Sequence, residues 1–211
     1  MRDEGGQARD EGAKRVRCRY LCGAGLIALL AAFGGASPVR AEGPLVVGVV
    51  DFYPGGTGGG GDLGVVPTRY VADDLSAVLA HAGAGQISVL PRAEVARAES
   101  ALRWRGADVL SFARLGELAE RVHADRLVVG WITVLSLDRM DTIATPGGQY
   151  LGAVSLVVQI FDPREGRLVW QTTGYGTGFG MLAYIVLEDT LRNGVDSTVA
   201  PTLHALTGAG T

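Results

Sequence analysis

A glycine-rich segment, Gly55-Gly56-Thr57-Gly58-Gly59-Gly60-Gly61-Asp62, follows a short apolar run near residue 50. Glycine amides placed at the start of a helix can cradle an anion. The lysine and Ser/Thr of a phosphate loop are missing, however, and no G-x-G-x-x-G with a suitably spaced acid stands there, so the segment reads as a surface loop. His81, His123 and His204 each fall near a predicted helix end, where an imidazole meets free carbonyl groups, and none has the H-x-x-x-H spacing of a metal site. Asp73-Asp74 and Glu188-Asp189 are adjacent carboxylates, but neighbours on a helix diverge by about 100° and do not converge on one proton. No G-x-S-x-G elbow occurs. The reading that follows names no catalytic residue, no metal ligand and no cofactor, and takes the protein for a non-enzyme.

Recognition is the better use of the residues that remain. Glycines at 55, 56 and 58–61 lose much backbone entropy when ordered, and a partner that orders the loop could offset that loss. Tyr53, Gly55, Gly56, Thr57 and Gly58 are therefore candidate partner-binding residues, within a loop expected from Tyr53 to Gly64. Trp104, between Arg103 and Arg105 near a helix end, is the sixth candidate, whereas Trp131 and Trp170 lie in predicted strands and are expected in the core.

The elements that would position these residues follow from hydrophobic periodicity. Leu45–Phe52 reads as a buried strand, and the 3.6-residue period from Thr68, carried by Tyr70, Val71, Leu75, Val78, Leu79 and Ala82, predicts a helix stopped by Gly83 and Gly85. Gln86–Leu90 is a second strand, and Pro91 suits the first position of the helix after it. Ser111 is a plausible N-cap for another helix that turns Phe112, Leu115, Leu118, Ala119 and Val122 to the core. Arg126–Asp138 and Tyr150–Phe161 read as long strands, and Asp162-Pro163-Arg164-Glu165-Gly166 as the turn into a partner strand, Arg167–Thr177. The stretch from Met181 is helical, with Asn193-Gly194 and Pro201 arguing against one straight helix. The order β-α-β-α-α-β-β-β-α predicts an α/β (α+β) domain with a single mixed sheet flanked by helices.

Upstream of this domain, a basic cluster of Lys14, Arg15, Arg17 and Arg19 precedes the apolar run Leu21–Ala32, the pattern of an export signal too short to span a bilayer. Val39-Arg40-Ala41 places small residues for a cut before Glu42, so residues 1–41 are expected to be a signal peptide and 42–211 a single domain, periplasmic or extracellular, with no stable membrane span. Both cysteines, Cys18 and Cys22, precede the cut, which excludes disulfides and thiolate chemistry from the mature chain. Cleavage also removes 7 of the 19 basic and 4 of the 22 acidic residues, leaving 12 against 18 and a net charge of −6. Nucleic acid is excluded as a partner on that balance.

Four pieces, VVGVVDFYPGGTGG, ISVLPRAEVARA, HADRLVVGWIT and VVQIFDPREGRLVWQTTGYG, stand in an order that resembles the bacterial envelope-protein superfamily of CsgG, LpoB and the N-terminal domain of TolB. The resemblance spans nearly the whole mature chain and implies the fold and an envelope location. It also implies a working role for the loop after the first strand, which lines the constriction of the secretion channels. The connection Arg139–Gln149 is too brief for a membrane hairpin, which needs two strands of about 9 to 11 residues. The expectation is thus an exported, non-catalytic accessory protein that contacts an envelope or secretion-assembly protein, with homo-oligomers possible. The alternative is a periplasmic module for a small ligand or glycan, and a hydrolase ranks third.

Overall fold

A computed structural model describes residues 43–55, 66–142 and 145–208, with side chains described for all of these except 66–67 and 141–147. Strand β1 (Leu45–Val49) is a Val-rich run covered on both faces. There follow β2 (Tyr53–Pro54), α1 (Val66–Ala82), β3 (Ile87–Val89), α2 (Arg92–Ala101), a 3-10 turn (Gly106–Leu110) and α3 (Phe112–Val122). The chain closes with β4 (Arg126–Thr142), β5 (Thr145–Asp162), β6 (Arg167–Gly180) and α4 (Ala183–Gly208). The strands form one mixed sheet in the order β3-β1-β4-β5-β6, with β2 added beside β4. Its β1–β3 and β1–β4 pairs are parallel, and β4-β5-β6 is an antiparallel meander. This is the predicted fold class and element order, with β2 as the one extra strand.

Local chemistry explains the joints. Ser111 caps α3 by accepting the Arg114 N–H at 3.5 Å, and Asp162 Oδ1 accepts the N–H groups of Arg164 and Glu165 at 2.8 and 3.3 Å. Gly166, at φ 64°, then returns the chain in a conformation that a side chain resists. The two crossovers leave on opposite faces. Helices α1 and α4 cover Val47, Val49, Val154, Leu156 and Val158, while α2 and α3 cover Val50, Leu127, Val129 and Phe161.

Several expectations change. Pairing between β4 and β5 runs on to Thr142 and Thr145, so most of the expected connection 139–149 is strand. A ladder is held by backbone hydrogen bonds, and polar side chains do not end it. Helix α4 is continuous through Asn193-Gly194 and Pro201, because Gly194 and the glycines of β6 let it lie close on the sheet. A Cβ on Gly174 would strike Thr198, one on Gly176 the backbone of Thr190 and Gly194, and one on Gly178 Thr190 again. Such packing holds a helix that has lost the one hydrogen bond proline denies it. Trp131 and Trp170 are half-buried rather than core: Trp131 lies against Gly55, and Trp170 packs on the cluster under α1 and α4 without being enclosed by it. Replacing either by Ala should therefore cost less than the roughly 3–5 kcal/mol of a fully buried tryptophan. Phe112 is exposed, although its ring lies 6.0 Å from that of Phe161.

Candidate functional site

Two regions of the described residues carry features that the core does not explain. The first is the crevice at the carboxyl ends of β1 and β3. Their connections depart to opposite faces of the sheet, and that divergence opens a gap where open α/β sheets bind ligands. Arg92, at the start of α2, bridges it: Nη1 donates to Val49 O at 2.6 Å, Nε to Asp73 Oδ1 at 3.1 Å, and Nη2 to Asp51 Oδ1. One guanidinium thereby ties β1 and α1 to α2. Behind it Glu99 is only 5 % exposed and accepts the Asp51 N–H at 3.0 Å. Burial, with the nearby Asp51 carboxylate adding to it, raises the Glu99 pKa above the ordinary glutamate value. Asp73 is thus a structural ion-pair partner and not merely part of a solvated face.

The second region is the outer half of the meander. Beyond Ile132, β4 continues with no partner on its β1 side among the described residues, so β4, β5 and β6 project as a three-stranded arm. On one side of the arm α4 packs against Gly152, Gly174, Gly176 and Gly178. The other side carries the alternate residues. There the register aligns Leu151 with Phe179 and Val134 with Ser155 and Tyr175. Tyr175 is 69 % exposed and Phe179 58 %, and Leu151, Val134 and Met140 are exposed with them. Met181, Leu182, Tyr184 and Ile185, where the chain passes from β6 into α4, are exposed as well. No charged residue occurs from Leu168 to Leu187.

The free edge of β6 is closed at its centre. Ser197 Oγ accepts the Tyr175 N–H at 3.0 Å, and Asn193 Nδ2 donates to Thr177 O at 2.8 Å, so α4 occupies backbone groups that another strand would need. The arm therefore offers side chains from its face more readily than backbone from this edge.

Of the six residues singled out from sequence, Tyr53, Gly55 and Trp104 are described. Tyr53 and Pro54 belong to β2, paired with Trp131 and Ile132, and the Gly55 N–H donates to Ile132 O at 3.0 Å. Pairing reaches that far because β4 outruns β1 and leaves its edge open. Gly56, Thr57 and Gly58 lie outside the described residues. Trp104 is half-buried against α2 and α3, with the Arg114 guanidinium 5.9 Å from its ring centroid. His81 and His123 stand in the last turn of α1 and at the end of α3, as expected, and His204 near the end of α4. Neither the arm nor Glu99 was nominated from sequence. Phe179 and Tyr175 alternating with glycines was the available signal for the first; the second gave none.

No protein-family model matches the chain, and neither does any curated protein sequence. Solved structures do. The lipoprotein GNA1162 from Neisseria meningitidis superposes with a TM-score of 0.51 at 18% identity, over 75% of this chain and 99% of that one. The C-terminal domain of LpoB from Salmonella enterica gives 0.42 at 16% identity, over 64% and 87%. The PelC dodecamer from Paraburkholderia phytofirmans gives 0.46 at 15% identity, over 77% and 89%. The first of these similarities extends the fold assignment to a known structure.

Proposed function

We propose that the chain is an exported, non-catalytic accessory protein of the cell envelope that acts by contact with another envelope or secretion-assembly protein. The uncovered face of the arm carries this reading: a patch of aromatic and aliphatic side chains, with Asp138 beside Leu151 as the charge among them, is what partner surfaces use and what isolated proteins limit. A lipoprotein of Neisseria uses the same fold, which accords with the envelope location, as does the resemblance of the sequence pieces to the CsgG, LpoB and TolB N-terminal superfamily. Residues 1–41 serve as the export signal, and self-association through the same face is one form the contact can take. Among the described residues no helix is long and apolar enough to cross a membrane. The loop after β2 remains a second contact surface in this reading.

A photo-cross-linking amino acid placed in turn at 175, 179 and 164 of the exported protein tests this in its own envelope. The expected result is a discrete cross-linked species from positions 175 and 179 and none from 164, at the opposite end of the β5–β6 hairpin. Cross-links absent at all three, or equal at all three, would remove the arm from the interaction.

A further inference from the structure

The crevice beside Arg92 contains unspent chemistry. A cleft of about 250 Å³ lies there, lined by Asp51, Arg69, Glu99, Ser100, Arg103 and Trp104. Ion pairs neutralise some of its groups: Asp51 is held by Arg92, and Arg69 sits 3.8 Å from Asp73. Three others are in no ion pair among the described residues. Glu99 spends one oxygen on the Asp51 N–H and has none for the other, the Ser100 hydroxyl is free, and the Arg103 guanidinium has neither an ion pair nor a hydrogen bond. The second Glu99 oxygen opens on the cleft, where a ligand group can reach it.

Arg103 provides an independent observation. It stands at φ 51°, in the left-handed position that follows the end of α2. There the Arg103 N–H reaches Ser100 O at 3.1 Å and the Trp104 N–H reaches Glu99 O at 2.8 Å, a helix stop that normally employs glycine. A side chain in that conformation costs about 1–2 kcal/mol. Backbone strain of this kind gathers where a side chain has work to do, and here it delivers a cation to the cleft next to Glu99.

We infer that this cleft binds a small amino acid, its carboxylate on Arg103 and Arg69 and its ammonium group on the free oxygen of Glu99. The size agrees, because the cleft lies below the roughly 300–1,000 Å³ of pockets for drug-sized ligands. Its wall of Ala96 and Trp104 leaves room for a short apolar side chain. Carrying both charges suits the site better than either alone, since neither Glu99 nor Arg103 is in an ion pair among the described residues, although Arg92 and Arg69 lie near enough to act on Glu99. The site stands apart from the arm, and neither proposal depends on the other.

Titration calorimetry of the mature chain with glycine, L-alanine, L-serine and L-valine tests the inference, alongside N-acetyl-L-alanine and L-alaninamide. Saturable binding of at least one free amino acid is expected, weakened tenfold or more by Arg103→Ala and by Glu99→Gln. Both blocked derivatives should bind more weakly than the free amino acid. Binding of N-acetyl-L-alanine as tight as that of L-alanine would point to a peptide C-terminus as the ligand and overturn the amino-acid assignment. No heat with any of the six at millimolar concentration, or binding that both variants leave unchanged, would overturn the site itself. Glu99→Gln preserves the acceptor for Asp51, and a circular-dichroism spectrum matching the parent's secures the comparison. Should Arg103→Ala unfold, Arg103→Gly keeps the backbone conformation while removing the guanidinium.

Discussion

Glu99 shows how one residue can join two roles. Its oxygen holds the Asp51 N–H, yet burial makes its charge unfavourable and raises its pKa. An acid with a raised folded-state pKa binds its proton more tightly folded than unfolded, so its destabilisation is largest at neutral pH. Acidification through the raised pKa relieves it, completely once the pH is below the ordinary glutamate value. Glu99→Gln keeps the acceptor and deletes the charge, so the variant should be the more stable of the two at pH 7, with the difference shrinking toward pH 4. Urea unfolding of both proteins across that range measures it, and a difference independent of pH would show that the carboxylate is not strained by burial. Arg103 makes the complementary case. Glycine there relieves about 1–2 kcal/mol of left-handed strain against about 0.5–1 kcal/mol of added chain entropy, so Arg103→Gly should stabilise the fold by roughly 0.5–1 kcal/mol.

Among the elements, α4 and β6 depend on each other through missing side chains. Gly176 brings the strand against the backbone of Thr190 and Gly194, where neither neighbour has a rotamer to move. Gly176→Ala should cost about 1–3 kcal/mol, at the upper end because the obstruction is main chain, and thermal unfolding reads it directly. The loss should also free the Asn193 and Ser197 contacts that close the β6 edge, so faster hydrogen exchange at the Tyr175 amide is expected with it. A smaller effect belongs to the joint before α3: Ser111→Ala removes the acceptor for the Arg114 N–H and should cost about 1 kcal/mol.

At the scale of the molecule, the parallel half is closed on both faces and the antiparallel arm on one. On the proposed function, that asymmetry separates stability from recognition. Tyr175→Ser with Phe179→Ser should leave stability within about 0.5 kcal/mol, as substitutions at exposed positions do, while abolishing the cross-link made from a photo-reactive residue at the neighbouring position 151. Export makes a further expectation: N-terminal sequencing of the exported protein should begin near Glu42, and a start upstream of Leu21 would make residues 1–41 an anchor instead.

Period and punctuation in the sequence were enough for the strand and helix order, because burial of a strand or a helix face imprints a repeat of two or of 3.6 residues. Ser111, Gly83 and the Asp162–Gly166 turn were legible for the same local reason: each satisfies backbone groups within a few positions of itself. The continuity of α4 was not. Whether Gly194 breaks a helix or admits a strand depends on Gly176, which approaches it only in the folded chain. Nor could the ends of β4 and β5 be read, since pairing between Met140 and Gln149 needs no apolar side chain. Least visible of all were the crevice and the arm. Asp51, Asp73, Arg92 and Glu99 come from three segments with unremarkable patterns, and only the opposed crossovers bring them together. Alternation along β6 says that Tyr175 and Phe179 share a face, while the end of helix cover, a matter of where α2 and α3 stop in space, decides that this face is open.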